Sequence, residues 1–186
     1  MPSYADVTIE TDRLRLAATH ERYAPEVFPN FTAEITTFMF PAPAKTIDET
    51  EDFLRSARAA TAAGEELQVV VLHGQTGELL GHGGLHNLDS RSPELGIWIR
   101  KAAHGNGYGM EAVAGLAEWA YANLKFDYLV YPVDRRNVPS RRIPEALGGV
   151  VAAEYTQTNA SGNLLDLLEY RIDRRVLAAR HGRPYE

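Results

Sequence analysis

The sequence is 186 residues long, 45% apolar and 24% charged, with a formal net charge of −6 and no cysteine. This composition is typical of an ordered globular chain, and the absence of cysteine excludes disulfides, cysteine-ligated zinc and a cysteine nucleophile. The negative net charge argues against nucleic acid as the main partner, because phosphate binding needs a basic face.

The length fits one domain, and we expect a single domain over residues 1–186. No apolar run approaches the roughly 18 residues that a membrane-spanning helix needs. The opening residues MPSYADVTIETDRLRL lack the basic start and apolar run of a signal peptide. We therefore expect a cytoplasmic protein that does not bind a membrane.

The first half of the chain predicts extended segments and two helices. Residues 7–17 alternate as strands do, with a break at Thr11-Asp12, and a helical stretch around Tyr23 and Val27 breaks near Pro29. A capping box of Thr46 and Glu49 starts the next helix, which Gly64 should end. The apolar stripe of that helix is Ile47, Thr50, Phe53, Leu54 and Ala57. Strands follow at 67–73, 79–88 and 94–100, the first two joined by a hairpin turn.

The second half alternates helices and strands. A glycine-rich segment, 104–109, runs into a long amphipathic helix, followed by a buried strand at 128–133 and a helix at 138–147. Two strands at 150–158 and 164–172, joined by a turn, precede a basic C-terminal tail. This order predicts an α+β fold, whose mixed sheet is antiparallel at first and has one parallel crossover in its middle.

The segment His104-Gly-Asn-Gly-Tyr-Gly109 is the most informative part of the chain. Glycines allow a tight turn with converging N–H groups, and the helix start adds unpaired N–H groups and a positive dipole end. This combination can bind a pyrophosphate, although a plain connecting turn explains the loop alone equally well. No Gly-Lys-Ser/Thr follows, so the loop is not a nucleotide P-loop, and no acidic residue stands at the position that a dinucleotide fingerprint requires.

Several motifs in chain order resemble those of the GNAT superfamily of N-acetyltransferases. They are Glu10-Thr-Asp-Arg-Leu-Arg-Leu16, Glu94-Leu-Gly-Ile-Trp-Ile-Arg100, His104-Gly-Asn-Gly-Tyr-Gly-Met-Glu-Ala112, and Asn137-Val-Pro-Ser140 with Leu147-Gly148. The resemblance covers nearly the whole chain and is most similar to the branch of ribosomal-protein N-terminal acetyltransferases. It implies a twisted, mostly antiparallel sheet flanked by helices, whose central parallel strands splay around acetyl-CoA.

The resemblance also implies direct acetyl transfer to an amine, either a protein N-terminus or a small molecule, in a ternary complex without a metal. The chain would act as a monomer or homodimer.

The same resemblance implies roles for individual residues. The backbone of the strand at Ile97, Trp98 and Ile99 would pair with the pantetheine arm of the cofactor. Asn137 would contact the cofactor near its thioester, and Ser140 would protonate the departing thiolate. The loop residues that would hold the pyrophosphate are His104, Gly105, Asn106, Gly107, Tyr108, Gly109 and Met110.

Two positions depart from the family pattern. His104 stands where relatives usually have Arg or Gln, which would weaken one contact or make it pH-sensitive. Pro144 stands where many relatives have a tyrosine acid, so Ser140 or a bound water remains as the expected acid.

The chemistry of acetyl transfer also requires a base, because an amine attacks a thioester only when it is neutral. Glu94, at the start of a predicted central strand, is our first choice, and a solvated strand-end carboxylate is the alternative. His82 and His86 share one face of the preceding strand and either line the acceptor site or serve a structural role. The arginines between Arg135 and Arg142 either bind the 3′-phosphate of the cofactor or form a solvated face.

Two other functions stay open. A non-catalytic acyl-CoA sensor on the same fold would bind the cofactor without turnover. A nucleotide-dependent enzyme would use the glycine loop for a phosphate and would prefer NAD or ATP to CoA. Fold alone does not decide among these functions.

Overall fold

The structure is a computed structural model that describes residues 3–180. Residues 181–186 of the predicted basic tail lie outside the described residues, while the start of the tail forms a helix. The organisation as a single domain over residues 1–186 stays a prediction. In the part of the chain that is described, no helix has the length and apolarity needed to cross a membrane.

The described residues form one eight-stranded sheet and five α-helices. The strands are β1 (Thr8–Glu10), β2 (Leu14–Ala18), β3 (Leu67–His73), β4 (Leu79–His86), β5 (Glu94–Ile99), β6 (Tyr128–Asp134), β7 (Val150–Thr158) and β8 (Leu164–Asp173). The helices are α1 (Ala24–Asn30), α2 (Ile47–Ala63), α3 (Tyr108–Asn123), α4 (Val138–Ala146) and α5 (Arg174–Arg180).

The sheet has the strand order β1-β2-β3-β4-β5-β6-β8-β7. Its neighbouring strands are antiparallel, except for β5 and β6, which are parallel and connected by the crossover helix α3. The predicted α+β class, with an antiparallel start and one parallel crossover, is therefore confirmed.

The parallel strands β5 and β6 touch at one point and then separate. Their register contains the single pair Glu94↔Val130, and the Val130 amide donates to the Pro93 carbonyl oxygen at 2.9 Å. By contrast, β5 pairs with β4 at six positions, and β6 pairs with β8 at seven. Beyond Glu94 the sheet thus contains a gap between its two central strands.

Helices cover both faces of the sheet. Val113, Leu116 and Ala120 of α3 pack with Leu16 and Leu129 in the larger core cluster. On the opposite face a smaller cluster joins the two N-terminal helices to the sheet, through Val27, Leu54, Val70, Leu72 and Trp98. The gap between β5 and β6 therefore lies between two packed layers.

The ends of helix α2 follow the predicted signals. The Glu49 amide donates to Thr46 Oγ1 at 3.3 Å, and Gly64 ends the helix with a left-handed φ of 76°. The predicted apolar stripe is wrong at Ile47 and Phe53, whose exposed fractions are 37% and 52%. Phe53 is exposed because it lines a cavity instead of packing into the core.

Strand ends differ from the predictions by one or two residues. The predicted strand 79–88 ends at His86, because Asn87 turns the chain with a φ of 56°. Helix α1 retains Pro29 near its last turn and ends at Asn30.

Candidate active site

A cavity of about 1040 Å³ opens at the gap between β5 and β6. Its walls come from the central strands, from the start of α4 and from the aromatic side chains of the N-terminal helices. Residues that represent these walls are Gly96, Ile97, Trp98, Tyr131, Asn137, Ser140, Phe31 and Phe53. A largely preformed cavity of this size is typical of a small-molecule or cofactor site.

The glycine-rich loop leads directly into α3. Gly105 and Gly107 have φ values of 80° and 77°, a left-handed conformation that glycine adopts without strain. Gly107 is the N-cap residue, and its carbonyl oxygen accepts from the Glu111 amide at 3.1 Å. The amides of the first helical turn have no partner within the helix and can bind an anion.

Side chains of the loop brace its backbone. Asn106 Nδ2 donates to the carbonyl oxygens of Ala103 and His104, each at 3.1 Å. His104 Nε2 lies 2.7 Å from the Ile99 carbonyl oxygen. Since a carbonyl only accepts, this contact requires the hydrogen on Nε2. Both side chains therefore fix the loop beside the end of β5 and leave its backbone amides for a ligand.

A cluster of three residues holds the start of α3 against the turn between β1 and β2. We call Thr11, Arg13 and Glu111 the Glu111 cluster. The Glu111 carboxylate accepts from Thr11 Oγ1 at 2.6 Å, and from the backbone amide and Nε of Arg13, each at 2.7 Å. Burial alone would raise the pKa of Glu111, but the hydrogen bonds from Thr11 and Arg13 outweigh it and lower the pKa.

Arg13 contacts the glycine-rich loop and was not among the predicted site residues. Its Nη1 donates to the Asn106 carbonyl oxygen at 3.0 Å, and its guanidinium lies 4.8 Å from the centre of the Tyr108 ring. The available signal was the acidic Glu111 in the first helical turn, which favours a cationic partner. Nothing in the sequence identified Arg13 as that partner.

The predicted cofactor residues of β5, the loop and α4 lie side by side. A Cβ built on Gly109 would lie 3.6 Å from Ile99 Cγ1 and 3.5 Å from Ile143 Cδ1. Glycine at this position therefore lets α3 pack closely between the end of β5 and helix α4. Met110 packs against the larger core cluster.

Ser140 faces the cavity with a buried tyrosine behind it. Ser140 Oγ lies 2.9 Å from the hydroxyl of Tyr131, whose exposed fraction is 3%. Burial raises the pKa of Tyr131 to about 12, against the opposing effect of the hydrogen bond with Ser140, so the phenol stays protonated at neutral pH. Asn137 caps α4, since its Oδ1 accepts from the Ser140 amide at 3.4 Å. Sequence reasoning identified Ser140 and Asn137 but missed Tyr131.

Glu94 is half-buried at the start of β5 and lines the cavity. Burial raises the pKa of its carboxyl, His86 lowers it and Glu169 raises it further. The net increase makes this carboxylate a stronger base than an ordinary surface glutamate.

The two histidines of β4 have different environments. His82 is 5% exposed, contacts Thr19 Oγ1 at 2.8 Å, and has a pKa lowered to about 4, mainly by burial, with a contribution from His86. His86 is more exposed and lies 3.1 Å from Glu66. His82 is thus a neutral structural histidine, whereas His86 stays available at the cavity. Within residues 3–180, no group of three or more acidic or histidine side chains is arranged to hold a metal ion.

The arginines that follow β6 are paired with acidic or phenolic groups. Arg135 contacts Glu154 and Asp166, at 2.5 and 3.1 Å. Arg136 binds the fully buried carboxylate of Asp134 at 2.8 Å. Arg141 contacts the Tyr170 hydroxyl and Glu145, and Arg142 is exposed on α4. These pairs favour a structural role for the first three arginines over binding of a phosphate.

Comparison with known proteins places this geometry among acetyltransferases. Residues 13–150 match the family model of the acetyltransferase (GNAT) domain. The uncharacterized N-acetyltransferase p20 of Bacillus licheniformis is 22% identical over 178 residues, which cover 92% of this chain and 98% of p20.

Solved structures with the same fold include two acetyltransferases bound to cofactor. RimL, a ribosomal L7/L12 α-N-protein acetyltransferase in complex with coenzyme A, superposes with a TM-score of 0.80 at 14% identity, covering 90% of this chain and 98% of RimL. The microcin C7 self-immunity acetyltransferase MccE, in complex with acetyl-CoA and AMP, gives a TM-score of 0.77 at 15% identity, covering 88% of this chain and 93% of MccE. At these identities the similarity is one of fold.

Proposed function

The chain belongs to the GNAT family of acetyltransferases, and on this premise we propose that it transfers an acetyl group from acetyl-CoA to an amine by direct attack in a ternary complex. The observation that carries the proposal is the glycine-rich helix start beside the gap between β5 and β6, which opens into the cavity of about 1040 Å³. An anion site at one end and a reaction chamber at the other match the two ends of an acyl-CoA molecule.

The cofactor would extend from the loop to the cavity. The first-turn amides of α3 and the amides of the loop would bind the pyrophosphate, and His104 and Asn106 would keep the loop in shape. The backbone of Ile97, Trp98 and Ile99 would pair with the pantetheine arm, because β5 lacks a strand partner there on its β6 side. Asn137 would contact the arm near the thioester.

Glu94 and Ser140 are the proposed proton-transfer groups. Glu94 takes a proton from the amine, whose lone pair then forms the new N–C bond at the thioester carbonyl. The nitrogen loses its second proton as the C–S bond breaks. The Ser140 hydroxyl gives its proton to the departing thiolate and regains one from the nitrogen, directly or through water, while the protonated Tyr131 orients Ser140 through their contact. Backbone donors at the gap would stabilise the tetrahedral oxyanion by about 3–4 kcal/mol per donor.

The charges of the cavity support a cationic acceptor. Glu49, Glu66 and Glu94 all line it, together with Lys45. An amine that enters as its ammonium form would be attracted by these carboxylates before it is deprotonated. We propose a protein N-terminus, as for RimL, or a small-molecule amine as the acceptor.

The test begins with thermal stability in the presence of acetyl-CoA, CoA, NAD or ATP. A ligand at about 100 times its Kd adds about 2.7 kcal/mol of stability, which moves the melting temperature by several degrees. We expect stabilisation by acetyl-CoA and CoA alone, followed by thiol release when a panel of amines and N-terminal peptides is added. Stabilisation by NAD or ATP without a response to CoA would overturn the proposal.

Variants then test the roles of the two groups. Glu94→Gln and Ser140→Ala should each lower turnover while the affinity for acetyl-CoA changes little. Ser56→Ala, at an exposed position of α2, serves as the matched control and should keep full turnover. Binding of CoA without thiol release for any amine or peptide would favour a non-catalytic acyl-CoA sensor.

A further inference from the structure

The cavity wall formed by β4 and β5 has a pair of glycines at its centre. Three cross-strand pairs of these antiparallel strands share the cavity face, because alternate residues of a strand point to the same side. The pairs are His82↔Trp98, Gly84↔Gly96 and His86↔Glu94. The middle pair consists of glycines. The Gln68 side chain lies over Gly84, where an added Cβ would be 3.0 Å from Gln68 Oε1, and no side chain projects from Gly96.

His86 is held in one orientation by two residues. Its Nδ1 lies 3.1 Å from Glu66 Oε1, and Gln68 Nε2 donates to Glu66 Oε2 at 2.8 Å. Gln68 is only 4% exposed, so its packing keeps in place the side chain that binds the Glu66 carboxylate. Gln68 Nε2 also lies 3.3 Å from Nδ1, the longer of the two contacts at that nitrogen. The shorter contact, with an acceptor-only carboxylate, puts the hydrogen on Nδ1 and leaves Nε2 as a free acceptor.

The free nitrogen lies over Gly96, the residue two positions after Glu94. A Cβ built on Gly96 would lie 3.5 Å from His86 Nε2, so the imidazole packs over the glycine backbone. Glu94 is the directly opposed cross-strand neighbour of His86, and Cβ atoms of such pairs lie about 4.5–5.5 Å apart. The two side chains are therefore within reach of each other, directly or through one water.

Each group in this row is partly exposed. Glu94 is half-buried, and burial raises its pKa. The side chains of His86 and Glu66 are 38% and 34% exposed. A proton taken up at Glu94 thus has an oriented acceptor next to it that reaches solvent.

We propose that His86 is the proton-release residue of the amine site, with Glu66 and Gln68 as its positioning residues. Glu94 receives the proton from the amine, His86 Nε2 takes it from Glu94, and the imidazolium releases it to solvent while Glu66 balances its charge. Glu94 is returned to its carboxylate form for the next turnover. The inference rests on the proposed acetyl transfer and adds the path by which its proton leaves.

Other titratable groups face this path from each neighbouring element. His82 lies on the same strand, and Glu49 lines the cavity from α2. Glu169 of β8 raises the pKa of Glu94, and the pKa of Tyr155 of β7 is raised by burial and by Glu94. His82 stays neutral, since its pKa is lowered to about 4. Within residues 3–180, His86 is thus the cavity-lining histidine whose side chain reaches solvent.

The decisive variant is His86→Gln. We expect kcat to fall about 100-fold, at the lower end of the effect of a lost proton-transfer group, while KM for acetyl-CoA stays within about twofold. Turnover should then depend on buffer concentration, and added imidazole should restore part of it. A purely structural role for His86 would not produce this rescue.

Glu66→Gln tests the same path and leaves the imidazole in place. The amide no longer balances the charge of the imidazolium, so we expect a smaller loss of kcat, which added imidazole should also partly restore. The matched control is His20→Gln. His20 contacts Glu21 at 3.5 Å with a similar side-chain exposure of 36%, and it does not line the cavity. This control should keep wild-type turnover and show no buffer dependence.

Two results separate the inference from the proposed function. A folded His86→Gln protein with wild-type kcat and no buffer dependence would overturn the proton-release role and leave acetyl transfer intact. A wild-type protein that releases no thiol with any amine would overturn the proposed function itself. If His86→Gln does not fold, a Glu66→Gln protein with wild-type kcat and no response to added imidazole would overturn the inference instead.

Discussion

Burial raises the pKa of Glu94, an effect that His86 opposes and Glu169 reinforces. A carboxyl whose folded-state pKa is raised favours the folded state most when it is protonated. Its contribution is fully present below its unfolded pKa and is lost as the pH rises through the folded value. Above its folded-state pKa, the ionised Glu94 therefore lowers stability, while the same ionised form is the one that can accept a proton.

We therefore predict that Glu94→Gln separates activity from stability. The neutral amide removes the cost of the buried charge, so the melting temperature at pH 8 should equal or exceed that of the wild type. Turnover should fall about 100-fold or more, and the acid limb of the pH–kcat/KM profile that reports Glu94 should disappear. Thermal unfolding and turnover at pH 5 and pH 8 measure both effects.

Glu10→Gln provides the control for this pair of measurements, because Glu10 is exposed on β1. This substitution should change neither the melting temperature nor turnover. A large drop in the melting temperature of Glu94→Gln would instead indicate a structural carboxylate and would argue against its role as the base.

The sequence identified site residues that lie together in one short motif. It did not identify partners that are brought together only by strand pairing or by packing between elements. Ser140 and Asn137 belong to one motif, and the glycines of the loop determine its backbone conformation by themselves. Tyr131 contacts Ser140 only because β6 and α4 pack together. Glu66 meets His86 only because of the alignment of β3 with β4, which contains a register shift between Val71 and Leu72. A sequence pattern does not specify such a shift, so these partners required the structure.

At the scale of elements, the Glu111 cluster determines where α3 begins relative to the first hairpin. Glu111 lies in the first turn of α3, where the helix dipole favours a negative charge. In the structure its carboxylate also accepts three hydrogen bonds from the turn between β1 and β2. It thereby keeps Arg13 beside the Asn106 carbonyl oxygen of the loop.

We predict that Glu111→Gln weakens both the fold and the binding of CoA. Loss of the charged acceptor should lower the free energy of unfolding by about 1–3 kcal/mol, measured by urea denaturation. Affinity for CoA, measured by titration calorimetry, should fall several-fold because the first-turn amides and Arg13 lose their alignment.

Asp48→Asn is the matched control, since Asp48 is an exposed acidic residue in the first turn of α2. It should cost at most about 1 kcal/mol, as expected for a charge at a helix end, and leave CoA affinity unchanged. Equal effects of the two substitutions would show that Glu111 acts through the helix dipole alone.

The helices and strands themselves were largely predictable, because their signals are local. The capping box of α2 and Gly64 mark both of its ends, and strand alternation and turn residues give β3, β7 and β8. The orientation of Phe53 was not predictable from helical periodicity, because it depends on a cavity that forms only in the assembled fold.

On the scale of the whole molecule, the sheet consists of two parts joined at one point. Strands β1–β5 form one paired set and β6–β8 the other, with Glu94↔Val130 as the register pair between them. Chain order predicted the parallel crossover, since a strand, a long helix and another strand follow one another. The gap itself was expected from the resemblance to GNAT proteins and not from any residue pattern, because strand separation is a property of the assembled sheet.

The gap leads to a prediction about the response of the whole molecule to its cofactor. A ligand arm that pairs with β5 would supply the backbone partners that β6 does not provide, and the loop amides would bind its pyrophosphate. We predict that CoA slows hydrogen exchange most strongly at residues 97–99 and 105–110. The distant pairs of β1 with β2 and of β7 with β8 should change only through the increase in global stability, about 2.7 kcal/mol at 100 times the Kd. Exchange by peptide-level mass spectrometry, with and without CoA, measures this pattern.

Protection that spreads evenly over the sheet, or that spares residues 97–99, would contradict the placement of the pantetheine arm in the gap. Protection limited to 105–110 would then point to a ligand that binds through its phosphates alone.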